Sequence, residues 1–103
     1  MSVTVTEDDM WTLKVSRRVV RRFELSDIPM FVWERIEELG EMLRANPEGT
    51  VRMLEKEKII CRVKGKTVRR IRVGDYRIFF YIDYERKEIV ITSVKHRRHA
   101  YKP

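Results

Sequence analysis

The sequence predicts an α+β domain in which a helical hairpin packs on one face of an antiparallel sheet. Three observations lead there. Apolar residues recur at helical spacing through residues 19–43, the period changes to two beyond residue 58, and the strand-like segments then follow one another with no helix between them. At 103 residues and 43% hydrophobic content, the chain can bury one modest core.

Residues 1–10 are expected to form a disordered N-terminal segment ahead of a single domain over 11–103. Trp11-Thr12-Leu13-Lys14-Val15 alternates apolar and polar, as a half-buried strand does. Ser16 can cap a short helix carrying Val19, Val20 and Phe23 and ending near Ser26. Asp27 reads as the cap of a second helix, with Pro29 near its first turn, where a missing N–H costs little. Phe31, Val32, Ile36, Leu39, Met42 and Leu43 form its apolar stripe, and Glu34, Arg35, Glu38 and Glu41 its wet side. Asn46-Pro47-Glu48-Gly49 reads as the turn that ends it. A strand over residues 59–63, a turn at Lys64-Gly65-Lys66, two strands around Gly74-Asp75, a loop over 83–88 and a last strand over 89–94 complete the order β-α-α-β-β-β-β.

The segment Val68–Phe80 carries the most information. Gly74-Asp75 between two alternating runs fits a two-residue hairpin turn of type II′, which sets Val73 against Tyr76 and Arg72 against Arg77. Alternation then puts Ile71, Val73, Tyr76 and Ile78 on a core face, and Arg70, Arg72, Arg77 and Phe79 on the other, expected to be open. Like charges facing across a ladder are destabilising unless something negative lies between them. A phosphate is the obvious candidate.

Charge is also distributed unevenly. Residues 1–61 hold 10 Lys/Arg against 12 Asp/Glu, net −2, whereas residues 62–103 hold 13 against 4, net +9, so the C-terminal 42 residues carry more than the whole net +7 of the chain. A surface laced with stabilising ion pairs would mix the signs throughout; one-sided basic charge is the footprint of a nucleic-acid binder or another acidic partner. The lone Cys61 cannot form an internal disulfide, fits a reducing cytosol, and is expected as a small buried residue. The longest apolar run, residues 78–82, is too short to cross a membrane, and Glu7-Asp8-Asp9 does not resemble a signal peptide, so a cytoplasmic protein is expected. His96 and His99 have no nearby Cys or carboxylate to complete a metal shell, and neither a metal nor another cofactor is expected.

Arg70-Ile71-Arg72-Val73 before Gly74-Asp75-Tyr76-Arg77-Ile78, then a strand ending at Val94, a basic cluster and Tyr101-Lys102, together resemble the RelE branch of the RelE/ParE toxin superfamily. The resemblance covers element order over residues 11–102 and motifs over 69–102. It implies a RelE-like fold and a toxin that enters the ribosomal A site and cuts messenger RNA, held inactive by an acidic RelB-like antitoxin. The implied cut is metal-free attack of the 2′-OH on the scissile phosphate, leaving a 2′,3′-cyclic phosphate. By the same resemblance Arg70 and Arg72 hold phosphate, Arg77 binds the scissile phosphate, Arg97 is an acid or charge stabiliser, Tyr101 stacks on a base, and His99 approximates a C-terminal acid. Arg69, Phe79, Lys95, His96, Arg98 and Lys102 complete the expected RNA-binding set.

The set departs from the family pattern where lysines would act, since guanidinium binds and polarises but is a poor general base. Two other readings stay open at this level: a ParE-like inhibitor of DNA gyrase, and a catalytically degenerate toxin that binds RNA or the ribosome without reacting. Fold alone does not separate them.

Overall fold

The computed structural model describes residues 10–99, and the expected disordered segment lies almost wholly outside them. Strand β1 (Thr12–Val15) leads into α1 (Arg17–Glu24), α2 (Met30–Ala45) and α3 (Pro47–Leu54). Strands β2 (Lys58–Val63), β3 (Lys66–Val73), β4 (Tyr76–Asp83) and β5 (Glu88–His96) follow in succession. They form one five-stranded sheet in the order β1-β5-β4-β3-β2. The α+β class and the helical layer on one face agree with the sequence reading. One pairing differs from an all-antiparallel sheet, because β1 runs parallel to β5, with Thr12 opposite Glu88 and Val15 opposite Ile91.

Local chemistry accounts for the helices. The Ser16 hydroxyl oxygen caps α1 by accepting from the backbone N–H of Val19 at 3.3 Å. Helix α2 begins after Pro29, which supplies no side-chain cap; Asp27 is exposed and does not cap it, because Ser26 in the left-handed region (φ 65°) turns the chain first. Val32, Ile36, Leu39 and Leu43 on α2 are fully buried at helical spacing. Asn46-Pro47-Glu48-Gly49 ends α2 as expected but starts a third helix. The Asn46 carboxamide oxygen accepts from Gly49 N at 3.1 Å, Pro47 sits in the first turn, and Glu48 complements the helix N-terminus.

The core lies between this helical layer and the inner face of the sheet, where Ile71, Ile78, Phe80, Ile89, Ile91 and Val94 meet α2 and α3. Ile89 and Ile91 are two apart, but Val94 is three beyond Ile91, a break in strand period that a bulge absorbs. Phe80 pairs with Ile91 and Phe79 with Ser93, leaving Thr92 as the extra residue. Its hydroxyl and carbonyl are both satisfied. The Thr92 hydroxyl donates to Phe79 O at 3.3 Å, and the Ser16 hydroxyl donates to Thr92 O at 3.2 Å. One serine therefore ties the start of α1 to the bulge.

Strand β2 is an edge. Cys61 is exposed there, contrary to the expected burial, because it lies on an edge strand and on the sheet face away from the helices. At the far end of the sheet the Tyr84 hydroxyl donates to the Glu55 carboxylate just beyond α3, and its ring meets Trp11 edge-on at 6.1 Å. Removal of the hydroxyl from water, followed by its bond to Glu55, pushes the Tyr84 phenol up to about 12 from 10.0. The folded chain therefore holds this proton more tightly than the unfolded one. The associated stability is fully present below pH 10 and is lost as pH rises through about 12. Tyr84→Phe is expected to show a shallower alkaline fall in stability than the parent, read as the difference in urea midpoint across that pH range.

Candidate nucleic-acid interface

The hairpin turn forms as the sequence predicts. Gly74 has φ 60°, Asp75 keeps a negative φ, and Val73 pairs with Tyr76 and Arg72 with Arg77. The positive φ favours glycine, and a Cβ at Gly74 would in addition press on the Phe31 ring at 3.3 Å.

Residues directly opposite one another in adjacent strands share a face, so the register lays the outer face of the sheet out in bands. One end carries Arg72, Arg77 and Lys95; the next row holds Lys58, Arg70, Phe79 and Ser93. Cys61, Val68, Tyr81 and Val90 form an apolar middle. At the other end charges are paired, with Lys66 3.5 Å from Asp83 and Lys14 3.6 Å from Glu88. Basic charge is thus concentrated at the hairpin-tip end.

This face is less open than the sequence reading expects. Arg70 and Arg77 are each 8% exposed and Phe79 6%, whereas Arg72 is exposed. The Arg77 guanidinium is fixed from behind: Nη1 donates to Gly74 O at 3.1 Å and to Tyr76 O at 3.0 Å. Its Nε is buried and has no hydrogen-bond partner among the described residues. Burial, then Arg72, Arg70 and Arg97, hold the Arg77 pKa below its ordinary 12.5, against an opposing pull from Asp75. The side chain nevertheless stays cationic at neutral pH. A buried donor surrounded by like charges is poised for an anion.

Arg97 joins the cluster through the turn. Its backbone N–H donates to Asp75 O at 2.7 Å, and its Nε lies 3.6 Å from the Asp75 carboxylate. His96, just before it, sits half-buried on the helical side, its ring 5.2 Å from Tyr76 and edge-on, and Nδ1 accepts from Arg98 N at 3.2 Å. His99 is exposed after a tight turn in which its N–H reaches His96 O at 2.8 Å.

The structure therefore brings together Arg70, Arg72, Arg77, Arg97 and Lys95, with Phe79 beneath them. Arg69 does not join them: it shares its face with Phe80 and donates to Glu57 O at 2.9 Å, bracing the approach to β2. Arg98 is exposed beyond the end of β5, and Tyr101 and Lys102 lie outside the described residues. Asp75 and Lys58 escaped the sequence reading. No spacing rule links residue 75 to residue 97, and the place of Lys58 beside Arg70 depends on a bulge in β2 between Ile59 and Cys61.

Residues 31–101 match the family described as ParE toxin of type II toxin-antitoxin system, parDE. The chain belongs to the RelE/ParE toxin superfamily. It is 31% identical over 94 residues to "Putative toxin RelE1" of Methanocaldococcus jannaschii, covering 89% of this chain and 96% of that protein. Similar solved structures include the archaeal RelE-RelB complex of Pyrococcus horikoshii OT3, at 27% identity and TM-score 0.59, covering 88% of this chain and 99% of that one. The RelB-RelE antitoxin-toxin complex of Methanococcus jannaschii is similar at 25% identity and TM-score 0.56, covering 87% and 99%. The chain is thus a RelE-like toxin of a type II toxin-antitoxin system.

Arg72 stands exposed opposite buried Arg77, so the pair opposes folding while serving anion binding. Arg72→Gln in this toxin is expected to raise stability by about 0.2–1 kcal/mol, the usual range for a cross-strand pair. It should also weaken binding of single-stranded RNA. Thermal melting and fluorescence anisotropy on the same preparation check both signs; a variant that melts earlier would remove the repulsion from the account.

Proposed function

We propose that this toxin is a metal-independent endoribonuclease that cuts messenger RNA in the ribosomal A site. The observation that carries the reading is Arg77, a buried guanidinium locked by two backbone carbonyls, with Nε unpartnered and Arg70, Arg72 and Arg97 around it. Such a site costs no reorganisation when charge develops on a phosphate, which is where electrostatic catalysis gains most.

In the proposed reaction the 2′-oxygen attacks the adjacent phosphorus and the bond to the 5′-oxygen breaks, leaving a 2′,3′-cyclic phosphate and a 5′-hydroxyl. Arg77 and Arg97 neutralise the phosphorane. Arg70 and Arg72 raise the acidity of the 2′-OH by placing positive charge beside it, solvent takes that proton, and His99 delivers one to the departing 5′-oxygen. Tyr101 stacks on a base, while Lys95, Arg98 and Lys102 hold flanking phosphates. In the cell an acidic RelB-like antitoxin neutralises the basic face, a reading supported by the partner present in the similar complexes.

A gyrase-directed reading is favoured by one observation, the ParE description of the matching family. The two separate in one experiment. Purified toxin is added to translating ribosomes carrying a defined message, fragment ends are mapped, and gyrase supercoiling is assayed in parallel. Cuts within the A-site codon bearing cyclic phosphate ends are expected, with Arg77→Ala and Arg97→Ala each about 100- to 1,000-fold slower, as for loss of one preorganised donor. Intact message alongside inhibited gyrase would transfer the toxin to the other class.

A further inference from the structure

A cleft of about 460 Å³ opens beside the arginine cluster, lined by Arg35, Glu57, Lys58, Arg70, Ile71 and Arg72. It exists because β2 starts late. Lys58, its first residue, pairs with Arg70, so among the described residues the outer edge of β3 beyond Arg70 has no strand against it. Helix α2 closes the other side with Arg35, whose Nη1 bonds the exposed Glu38 on the same helix. Four basic side chains thus converge on a space that holds one carboxylate, Glu57. Arg72 belongs to both places, since it lines the cleft and directly opposes Arg77.

We propose that this cleft is a second phosphate subsite, which binds a flanking phosphodiester of the RNA strand whose scissile phosphate lies at Arg77. The inference rests on the reading of the toxin as an RNA-cleaving protein. A single strand presents phosphates at regular intervals, and a groove that tracks it needs a succession of cations. Arg77, Arg72 and then Lys58 with Arg35 form such a succession, running across the sheet toward its free edge instead of along one strand. Glu57, whose backbone carbonyl accepts from Arg69, sets one negative charge among four cations and leaves the lining net positive.

The test uses two non-cleavable 2′-O-methyl oligonucleotides, a trinucleotide and a hexanucleotide, titrated against the intact toxin by fluorescence anisotropy at several salt concentrations. The hexanucleotide should bind more tightly than the trinucleotide, and Arg35→Gln with Lys58→Gln should remove that gain. The slope of log affinity against log salt should fall by about 0.7, the value for one phosphate on a single strand. Arg77→Ala should instead weaken both oligonucleotides alike, and Arg35→Lys with Lys58→Arg should restore the gain. If the double variant melts early, Lys58→Gln alone, an exposed edge-strand change, is read in its place.

A double variant that keeps the full length gain and slope overturns the subsite, as does wild-type protein that binds neither oligonucleotide. A variant that keeps RNA but loses poly-L-glutamate also overturns it, assigning the cleft to an acidic protein segment. Cleavage on the ribosome is scored from fragment ends and does not depend on these outcomes, so the subsite can fail while the nuclease reading stands.

Discussion

The two-residue turn at Gly74-Asp75 is the constraint on which the rest of the site depends. It sets the register of the β3–β4 hairpin, and the register sets which side chains face helices and which face away. It also supplies the Gly74 carbonyl that holds Arg77, and the Asp75 carbonyl and carboxylate that hold Arg97. A one-residue slip of β3 against β4 would turn Arg70 and Arg72 toward the core beside Ile78 and Phe80 and expose Ile71. The same few atoms therefore specify the fold and assemble the charge.

Stability and function pull against each other at this end of the sheet. Arg72 faces Arg77 across the ladder, and Arg70 and Arg97 add to the crowding, while Asp75 is the carboxylate that acts against it. At the opposite end of the same face Lys66 and Lys14 have carboxylate partners. Repulsion tolerated in the free protein is released when an anion arrives, so part of the binding energy is already stored in the fold.

Much of this was legible in the sequence because it is local. Gly-Asp between two alternating runs gives the hairpin, and Val32, Ile36, Leu39 and Leu43 give the helix that covers it. Asn46-Pro47-Glu48-Gly49 was ambiguous for a physical reason: an Asn cap, a proline in the first turn and an early acid suit a helix start as well as a turn, and the apolar residues that decide the matter, Val51 and Leu54, come later. What could not be read is non-local. The parallel pairing of β1 with β5 joins residues 76 apart in sequence, and the contact of Asp75 with Arg97 spans two strands and the loop between them. The near-burial of Arg70, Arg77 and Phe79 depends on their neighbours in adjacent strands and beyond, which alternation along one strand does not report.

The bulge at Thr92 has a consequence for how the C-terminal strand can change. By taking up one residue it puts the two halves of β5 out of phase: Ile89 and Ile91 before it and Val94 after it all face the core, so Lys95 emerges beside Arg77 and His96 beside Tyr76. Removing Thr92 would leave Ser93, Val94 and Lys95 opposite Phe79, Ile78 and Arg77 and turn the strand into plain alternation, losing the Thr92 contacts with Phe79 and Ser16. The bulge thus gives this strand one residue it can lose without changing which side chains face the core. A single-codon deletion at Thr92 would keep Lys95 beside Arg77, and with it the approach to Arg97, while freeing Ser16 from its tie to the strand.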